Sequence, residues 1–285
     1  MKKAIKILAG IGLMGGLTTA IYFYIKKKKE AEELKNSKNN RILFTKSDFA
    51  GFYGLLYGLK ELNLKIPVTS TAFYESGQIS ANMDKVNIIK KNYDREIRQA
   101  EQLTNLPYEM IAALIFIESG GDKNIISGAG AVGLTQITPD TANAAIAKEN
   151  LSGRLSEAEK AVLAKYLPEL TPIIVKKQSV KVTRLAAILK QPNLGGPTLI
   201  TKADLKKPEL NILLGAMFFK LLLDQSTIGN DIRIEKAIVR YNGGYNKKVP
   251  GNNIEETLKS ITSTETKAYI LKMLGKNGVL EMQMS

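Results

Sequence analysis

The chain has 285 residues, 44% of them hydrophobic, which is enough for a sizeable core in one large domain or two small ones. Its formal net charge of +14 favours a polyanionic partner. Cysteine and histidine both count 0, which excludes disulfides, a thiolate metal site, the cysteine of a lipid-anchored lipoprotein, the usual catalytic triads and most zinc sites, and leaves carboxylates as the acid–base groups.

Taken in order, residues 7–25 (ILAGIGLMGGLTTAIYFYI) carry no charge and are bracketed by lysines. As a helix they would span about 28 Å, close to the hydrocarbon thickness of a bilayer. Tyr22, Phe23 and Tyr24 stand where an aromatic belt forms. The sequence therefore predicts an uncleaved single-pass anchor over residues 1–29. A cleaved signal peptide is the rival reading, opposed by the apolar run that continues through Ile21–Ile25 beyond Ala20. Lys2, Lys3, Lys6 and the α-amino group balance Lys26–Lys29, so charge does not orient the span. Residues 30–83 read as a polar linker (EAEELKNSKNN) and an accessory segment with no chemistry to name. In that segment Glu75-Ser76-Gly77 imitates an acid site, but it lacks an apolar helix before it and a glycine-rich loop after it. Residues 84–104 read as a helix with Val86, Ile89, Tyr93, Ile97 and Leu103 on its apolar face.

The strongest element is LPYEMIAALIFIESGGD, residues 106–122. Pro107 suits a first helical turn, and Met110, Ile111, Leu114, Ile115 and Ile117 follow at mixed three- and four-residue spacing. This predicts a helix buried on most of its circumference and stopped by Gly120 and Gly121. Its last turn holds Glu118. A carboxylate there sits at the unfavourable end of the helix dipole, among apolar walls, and both effects raise its pKa. A glutamic acid kept protonated near neutral pH is what a general acid needs. A surface glutamate at a frayed helix end is the bland alternative. Downstream, SGAGAVGLTQ (Ser127–Gln136) packs glycines and alanines around one serine and one glutamine, as in turns where backbone approaches a ligand closely. Within residues 143–200 lie a helix boxed by Ser156 and Glu159 and ended by Pro168, a basic β-branched piece (IIVKKQSVKVTRLAAILK) and the turn-rich Gln191–Pro197.

Short segments recur in a telling order: Glu118-Ser119, then Gly133-Leu134-Thr135-Gln136, then Tyr241-Asn242-Gly243, then Glu265-Thr266 with Tyr269. Together they resemble the soluble lytic transglycosylase family of lysozyme-like murein-cleaving enzymes, whose motifs are Glu-Ser, Gly-Leu-Met-Gln, Ala-Tyr-Asn and Glu-Thr-x-x-Tyr. Residues 204–223 (DLKKPELNILLGAMFFKLLL) resemble that family's helix before the tyrosine motif. Thr135 stands in place of the methionine, and Arg240 in place of the small residue before the tyrosine. The interval between the second and third motifs exceeds the family's usual one, which places an insertion near 143–200.

The resemblance implies a mainly α, lysozyme-like domain over residues 84–275, followed by a tail at 276–285. It implies peptidoglycan glycan strands as substrate, no cofactor and no metal. Glu118 would be the catalytic acid that opens the bond between N-acetylmuramic acid and N-acetylglucosamine and closes a 1,6-anhydro ring. Ser119, Ser127, Gly133, Leu134, Gln136, Tyr241, Asn242 and Tyr269 would contact substrate, with Asn242 alternatively fixing a turn. A hydrolytic lysozyme with Asp122 or Asp140 as second carboxylate stays open, as does a catalytically idle wall-binding or structural membrane protein. Further partners would be a lipid membrane through residues 7–25 and proteins of a virion or a secretion apparatus. Nucleic acid is disfavoured, for there is no helix-turn-helix signature, zinc finger or aromatic-interleaved basic run. The expected location is a membrane, either in a phage virion or in a bacterial envelope.

Overall fold

The computed structural model describes residues 69–175, 177–191, 197–228 and 231–283. The anchor expected at 7–25 and the linker at 30–40 lie outside the described residues. Among those described, no helix is long and apolar enough to cross a membrane.

The architecture is mainly helical. Strand β1 (Thr69–Ala72) leads into helices α1 (Ser76–Thr104), α2 (Tyr108–Ser119), α3 (Pro139–Leu151) and α4 (Glu157–Tyr166). An antiparallel ribbon of β2 (Leu170–Val175) and β3 (Gln178–Thr183) follows, then α5 (Arg184–Leu189) and α6 (Lys202–Leu205). Next come α7 (Pro208–Gln225) and the short pair β4 (Thr227–Ile228) and β5 (Asp231–Ile232). The chain continues through α8 (Ile234–Gly243), α9 (Ile254–Ser260), α10 (Thr264–Leu274), β6 (Gly275–Lys276) and α11 (Val279–Met282). β1 runs parallel to β6.

Helix α7 is the axle of this arrangement. Every residue from Leu210 to Leu223 is buried, because the stretch is apolar on all sides apart from Asn211 and Lys220 and such a helix has to be enclosed. Pro208 starts it at a position where the missing N–H is not needed. Helices α1, α2, α3, α6 and α8 pack around it. By contrast α2, the element that dominates the sequence, buries Met110 through Ile115 and then opens, leaving Phe116 to Ser119 only partly covered.

Helix α1 is longer than its apolar pattern predicts. It starts at Ser76 rather than 84, and the Gln78 Oε1 accepts the Glu75 backbone N–H at 3.1 Å. Glu75-Ser76-Gly77 is therefore an exposed helix start, which is why the imitation of an acid site goes no further. The buried face holds Val86, Ile89, Ile97, Ala100 and Thr104. Tyr93 sits at a kink (φ −128°, ψ 22°) and, like Leu103, is only partly buried against the core.

Residues on either side of the expected 84–275 domain share its core. The Phe73 N–H donates to the Lys276 carbonyl at 3.1 Å, and Asn277 Nδ2 donates to the Tyr74 carbonyl at 3.1 Å. Val279, Leu280 and Met282 are buried, and Gln283 Nε2 donates to the Glu109 carbonyl at 3.0 Å, at the start of α2. Within 143–200, α4 carries the Ser156–Glu159 box and ends before Pro168, as its sequence predicts. The segment's buried Ile146, Leu163, Leu167 and Ile188 join the core, and polar side chains tie the segment to itself and to Asp204. Asn143 Oδ1 accepts from the Leu199 N–H at 3.0 Å, and Arg184 reaches both Asp204 (2.6 Å) and Glu169 (2.5 Å).

Candidate active site

Glu118 occupies the last turn of α2, which Gly120 closes in a left-handed conformation (φ 60°). Its carboxyl is partly buried and accepts a hydrogen bond at Oε1 from the Tyr269 hydroxyl on α10. Burial pushes its pKa up from 4.5 to about 7. The Tyr269 hydrogen bond pulls it down, the Glu265 charge pushes it up, and the Lys272 charge pulls it down again. Glu265, Tyr269 and Lys272 follow at i, i+4 and i+7, so one stripe of α10 presents an acid, a phenol and an amine to the same carboxyl. From α8, the Tyr241 hydroxyl donates to the Thr135 carbonyl at 2.8 Å. The Tyr241 ring rests against Phe218 and Phe219 of α7, with centroids 5.3 and 5.8 Å away. Burial, then the Glu118 charge, raises the pKa of both tyrosines well above the usual phenol value, so each stays a neutral donor.

The glycine-rich loop is held beside Glu118 by one side chain from each of three helices. Ser119 of α2 donates to the Leu134 carbonyl at 2.8 Å, and Tyr241 of α8 holds Thr135. Asn211 of α7 is fully buried and does most of the fastening. Its Oδ1 accepts from the Thr135 N–H and hydroxyl, both at 2.9 Å, while its Nδ2 donates to the Val132 and Leu205 carbonyls, both at 2.8 Å. Gly133 (φ 73°) permits this approach, for a Cβ there would lie 2.6 Å from the Leu205 carbonyl oxygen. Gly215 on α7 does the same from the other side, since its Cβ would lie 2.4 Å from the Thr135 hydroxyl oxygen.

These contacts relocate several residues for which the motifs imply substrate contact. Gly133 is buried and the Leu134 side chain is fully buried, so what this part of the loop can offer a ligand is backbone, not the Leu134 side chain. Thr135 is also fully buried, and its hydroxyl faces Asn211 instead of lining the site. Ser127 closes a turn, its Oγ accepting the Ala131 N–H at 3.1 Å. The Ser119 hydroxyl is engaged by the loop, and the Gln136 amide nitrogen donates to the Gly133 and Ile125 carbonyls at 2.9 and 3.3 Å. Asn242 ties α8 to α10, accepting at Oδ1 from the Thr266 hydroxyl at 2.8 Å. Arg240 turns away, donating to the Ser226 hydroxyl at the end of α7. Glu118, Tyr241 and Tyr269 are the predicted residues that the fold gathers in one place.

The two carboxylates of the hydrolytic alternative are both engaged in local contacts. Asp122 is exposed and its Oδ1 accepts the Asn124 N–H at 2.8 Å, an ordinary turn contact. Asp140 is exposed at the start of α3 and accepts from the Thr198 hydroxyl. The carboxylate whose charge acts on Glu118 is Glu265. The fourth motif contains Glu265 but assigns it no role, and Asn211 belongs to none of the four motifs. The available signal for Asn211 was a lone amide in an otherwise apolar run, LNILLGAMFF. Among the described residues, no cluster of three or more carboxylates is placed to hold a metal ion.

Residues 95–162 match the family model of the transglycosylase SLT domain. Among solved structures, the chain is similar to an inactive mutant of lytic transglycosylase Slt from Pseudomonas aeruginosa, with 21% identity and a TM-score of 0.39. That likeness covers 68% of this chain and 23% of the other. No curated protein matches. Over residues 95–162, which contain Glu118 and the Gly133–Gln136 loop, the chain carries the domain of the soluble lytic transglycosylase family.

Proposed function

We propose that this chain is a peptidoglycan lytic transglycosylase in which Glu118 alone performs the acid and base steps. One observation carries the reading: a partly buried carboxyl at the end of an apolar helix, held by a neutral tyrosine, with its pKa raised to about 7. The SLT domain match supports the substrate class. In the proposed reaction the Glu118 carboxyl gives its proton to the oxygen between N-acetylmuramic acid and N-acetylglucosamine as the bond from C1 breaks. The neighbouring 2-acetamido oxygen stabilises the positive charge at C1. The Glu118 carboxylate then takes the proton of the C6 hydroxyl, whose oxygen bonds to C1 and closes the 1,6-anhydro ring. One carbon–oxygen bond breaks, one forms, and Glu118 ends protonated without consuming water. Tyr269 and Tyr241 would keep the acid and its loop in place through the cycle.

Digestion of purified peptidoglycan by the full chain, followed by mass spectrometry, tests this. The expected muropeptides end in 1,6-anhydro-N-acetylmuramic acid, lighter by one water than hydrolysis products and resistant to borohydride. Reducible ends would overturn the ring-closing step, and no release at all would favour an idle wall-binding protein. Hydrolysis is the second reading, and one observation favours it: the exposed Glu265 acts on Glu118 and stands on the same stripe as Tyr269. A second carboxylate near the acid is what water activation needs.

We further propose that residues 7–25 anchor the enzyme in a membrane and that it opens the wall locally, for a phage crossing the envelope or for a secretion or conjugation apparatus. The uncharged run between lysine clusters supports the anchor. Mass spectrometry of the native N-terminus tests it, since a mature start near residue 21 would mean a cleaved signal peptide.

A further inference from the structure

The β2–β3 ribbon presents the most exposed large apolar side chains among the described residues. Its antiparallel register sets Leu170 opposite Thr183, Pro172 opposite Lys181 and Ile174 opposite Ser179, so these six share one face. On that face Leu170 is 65% exposed and Ile174 74%, and Pro172, Ser179 and Lys181 are exposed beside them. The opposite face carries Thr171, Ile173 and Val182, all partly buried, with Val180 (39% exposed) and Gln178 more open towards the tip, and α5 packs against the ribbon. A half-buried ribbon ordinarily turns polar residues outward. This one turns a leucine and an isoleucine outward and keeps lysine between them. Its sequence from Leu170 to Thr183 contains Lys176, Lys177 and Lys181 and no acidic residue. Lys177, exposed at the tip, holds a left-handed conformation (φ 65°) that makes the tight turn.

We propose that this open face docks on an anionic lipid bilayer, with Leu170 and Ile174 at the boundary of headgroups and acyl chains and Lys177 and Lys181 against lipid phosphates. Two features together select this partner. An anionic glycan polymer would engage the lysines but has no use for the leucine and isoleucine. A second copy of the chain that paired ribbon to ribbon, as a two-fold dimer would, brings one lysine-rich ribbon against another. An anionic bilayer satisfies both, because interfacial elements bind by apolar area plus attraction of cations to acidic lipids.

The chain contains no tryptophan (Trp 0), so one introduced tryptophan reports from its own position alone. Full-length Ile174→Trp would be reconstituted in vesicles of phosphatidylglycerol and phosphatidylcholine with brominated acyl chains. Glu157→Trp, on the exposed start of α4, is the control for proximity imposed by any other part of the chain. The expected result is a blue-shifted emission at position 174, with quenching about twofold stronger than at 157. Adding Lys177→Glu and Lys181→Glu should return the quenching at 174 to its level in phosphatidylcholine alone. Equal quenching at both positions, none at 174, or the same quenching in phosphatidylcholine alone would each overturn the proposal. A blue shift without vesicles that grows with protein concentration would assign the face to a second copy, which also overturns it.

Discussion

Glu118 and Asp204 are both carboxylates withdrawn from water in the same domain, and they are shifted in opposite directions. Burial raises the pKa of each. At Asp204 the opposing interactions win: Arg184 approaches through two nitrogens at 2.6 and 3.1 Å, and the Thr201 hydroxyl and N–H donate at 2.7 and 2.9 Å. The outcome is a pKa of about 2. At Glu118 the Tyr269 phenol donates, no cation among the described residues forms an ion pair with the carboxyl, and the outcome is about 7. What separates a structural carboxylate from a proton donor here is whether the number and charge of its donors outweigh its burial.

The consequences for stability also have opposite signs. The folded protein binds more protons at Glu118 than the unfolded chain does between pH 4.5 and about 7. Stability therefore falls as pH rises through that window, by up to about 3 kcal/mol. Asp204 contributes about 2 kcal/mol that is present above pH 3.8 and is lost as pH falls towards 2.

The largest expected effect is on activity. Glu118→Gln keeps the volume and accepts the Tyr269 hydrogen bond but cannot donate a proton. Release of murein fragments should drop by at least roughly 100-fold, with Glu75→Gln as an unaffected control. The same variant should be no less stable in urea at pH 8, where it removes the cost of an ionised buried carboxyl. Asp204→Asn should do the reverse, because it leaves the half-buried Arg184 guanidinium with the exposed Glu169 as its remaining carboxylate beside the Leu199 carbonyl. The expected loss is about 3 kcal/mol in denaturant unfolding, with murein release per folded molecule unchanged. If both variants lost the same property, the division into structural and catalytic carboxylates would fail.

How much of this was legible in the sequence follows the same division. Glu118 could be read because its oddity is local: an acid on the last turn of an apolar helix before two glycines. The Ser156–Glu159 box and the Pro168 stop were readable for the same reason, since a cap is completed within four residues. Asn211 was not, because the carbonyls and N–H that it satisfies at Val132 and Thr135 lie 79 and 76 residues away. Leu134 misleads for a related reason. Its motif suggests a cleft lining, while its burial depends on how α7 and α2 close over the loop, which no local pattern records. Only tertiary packing decides which members of a motif face substrate and which hold the backbone that does.

The contrast can be sharpened by moving the Glu118 pKa itself, read from the alkaline limb of a kcat/KM profile. The acid must be protonated, so activity should decline as pH rises through about 7. Tyr269→Phe removes the hydrogen bond that lowers this pKa, so the limb should move to higher pH. A limb that stayed in place would mean that the hydroxyl orients the carboxyl without tuning it.

The smallest expected effect comes from Glu265→Gln, and it should have the opposite sign. The Glu265 charge favours the protonated form of Glu118, so removing it should move the alkaline limb to lower pH. Glu265 is exposed, whereas Tyr269 is buried, so water and salt screen its influence and the displacement should be smaller than that of Tyr269→Phe. The displacement should also shrink as salt is added, while that of Tyr269→Phe should persist. Lys272, on the same stripe, lowers the Glu118 pKa, so Lys272→Met should move the limb upward and serves as a check on sign. The same Glu265 variant weighs the two reactions. If Glu265 only biases the acid, kcat on the acidic plateau and the 1,6-anhydro products should be retained. A collapse of that plateau would instead make Glu265 the group that activates water, and hydrolysis the reaction.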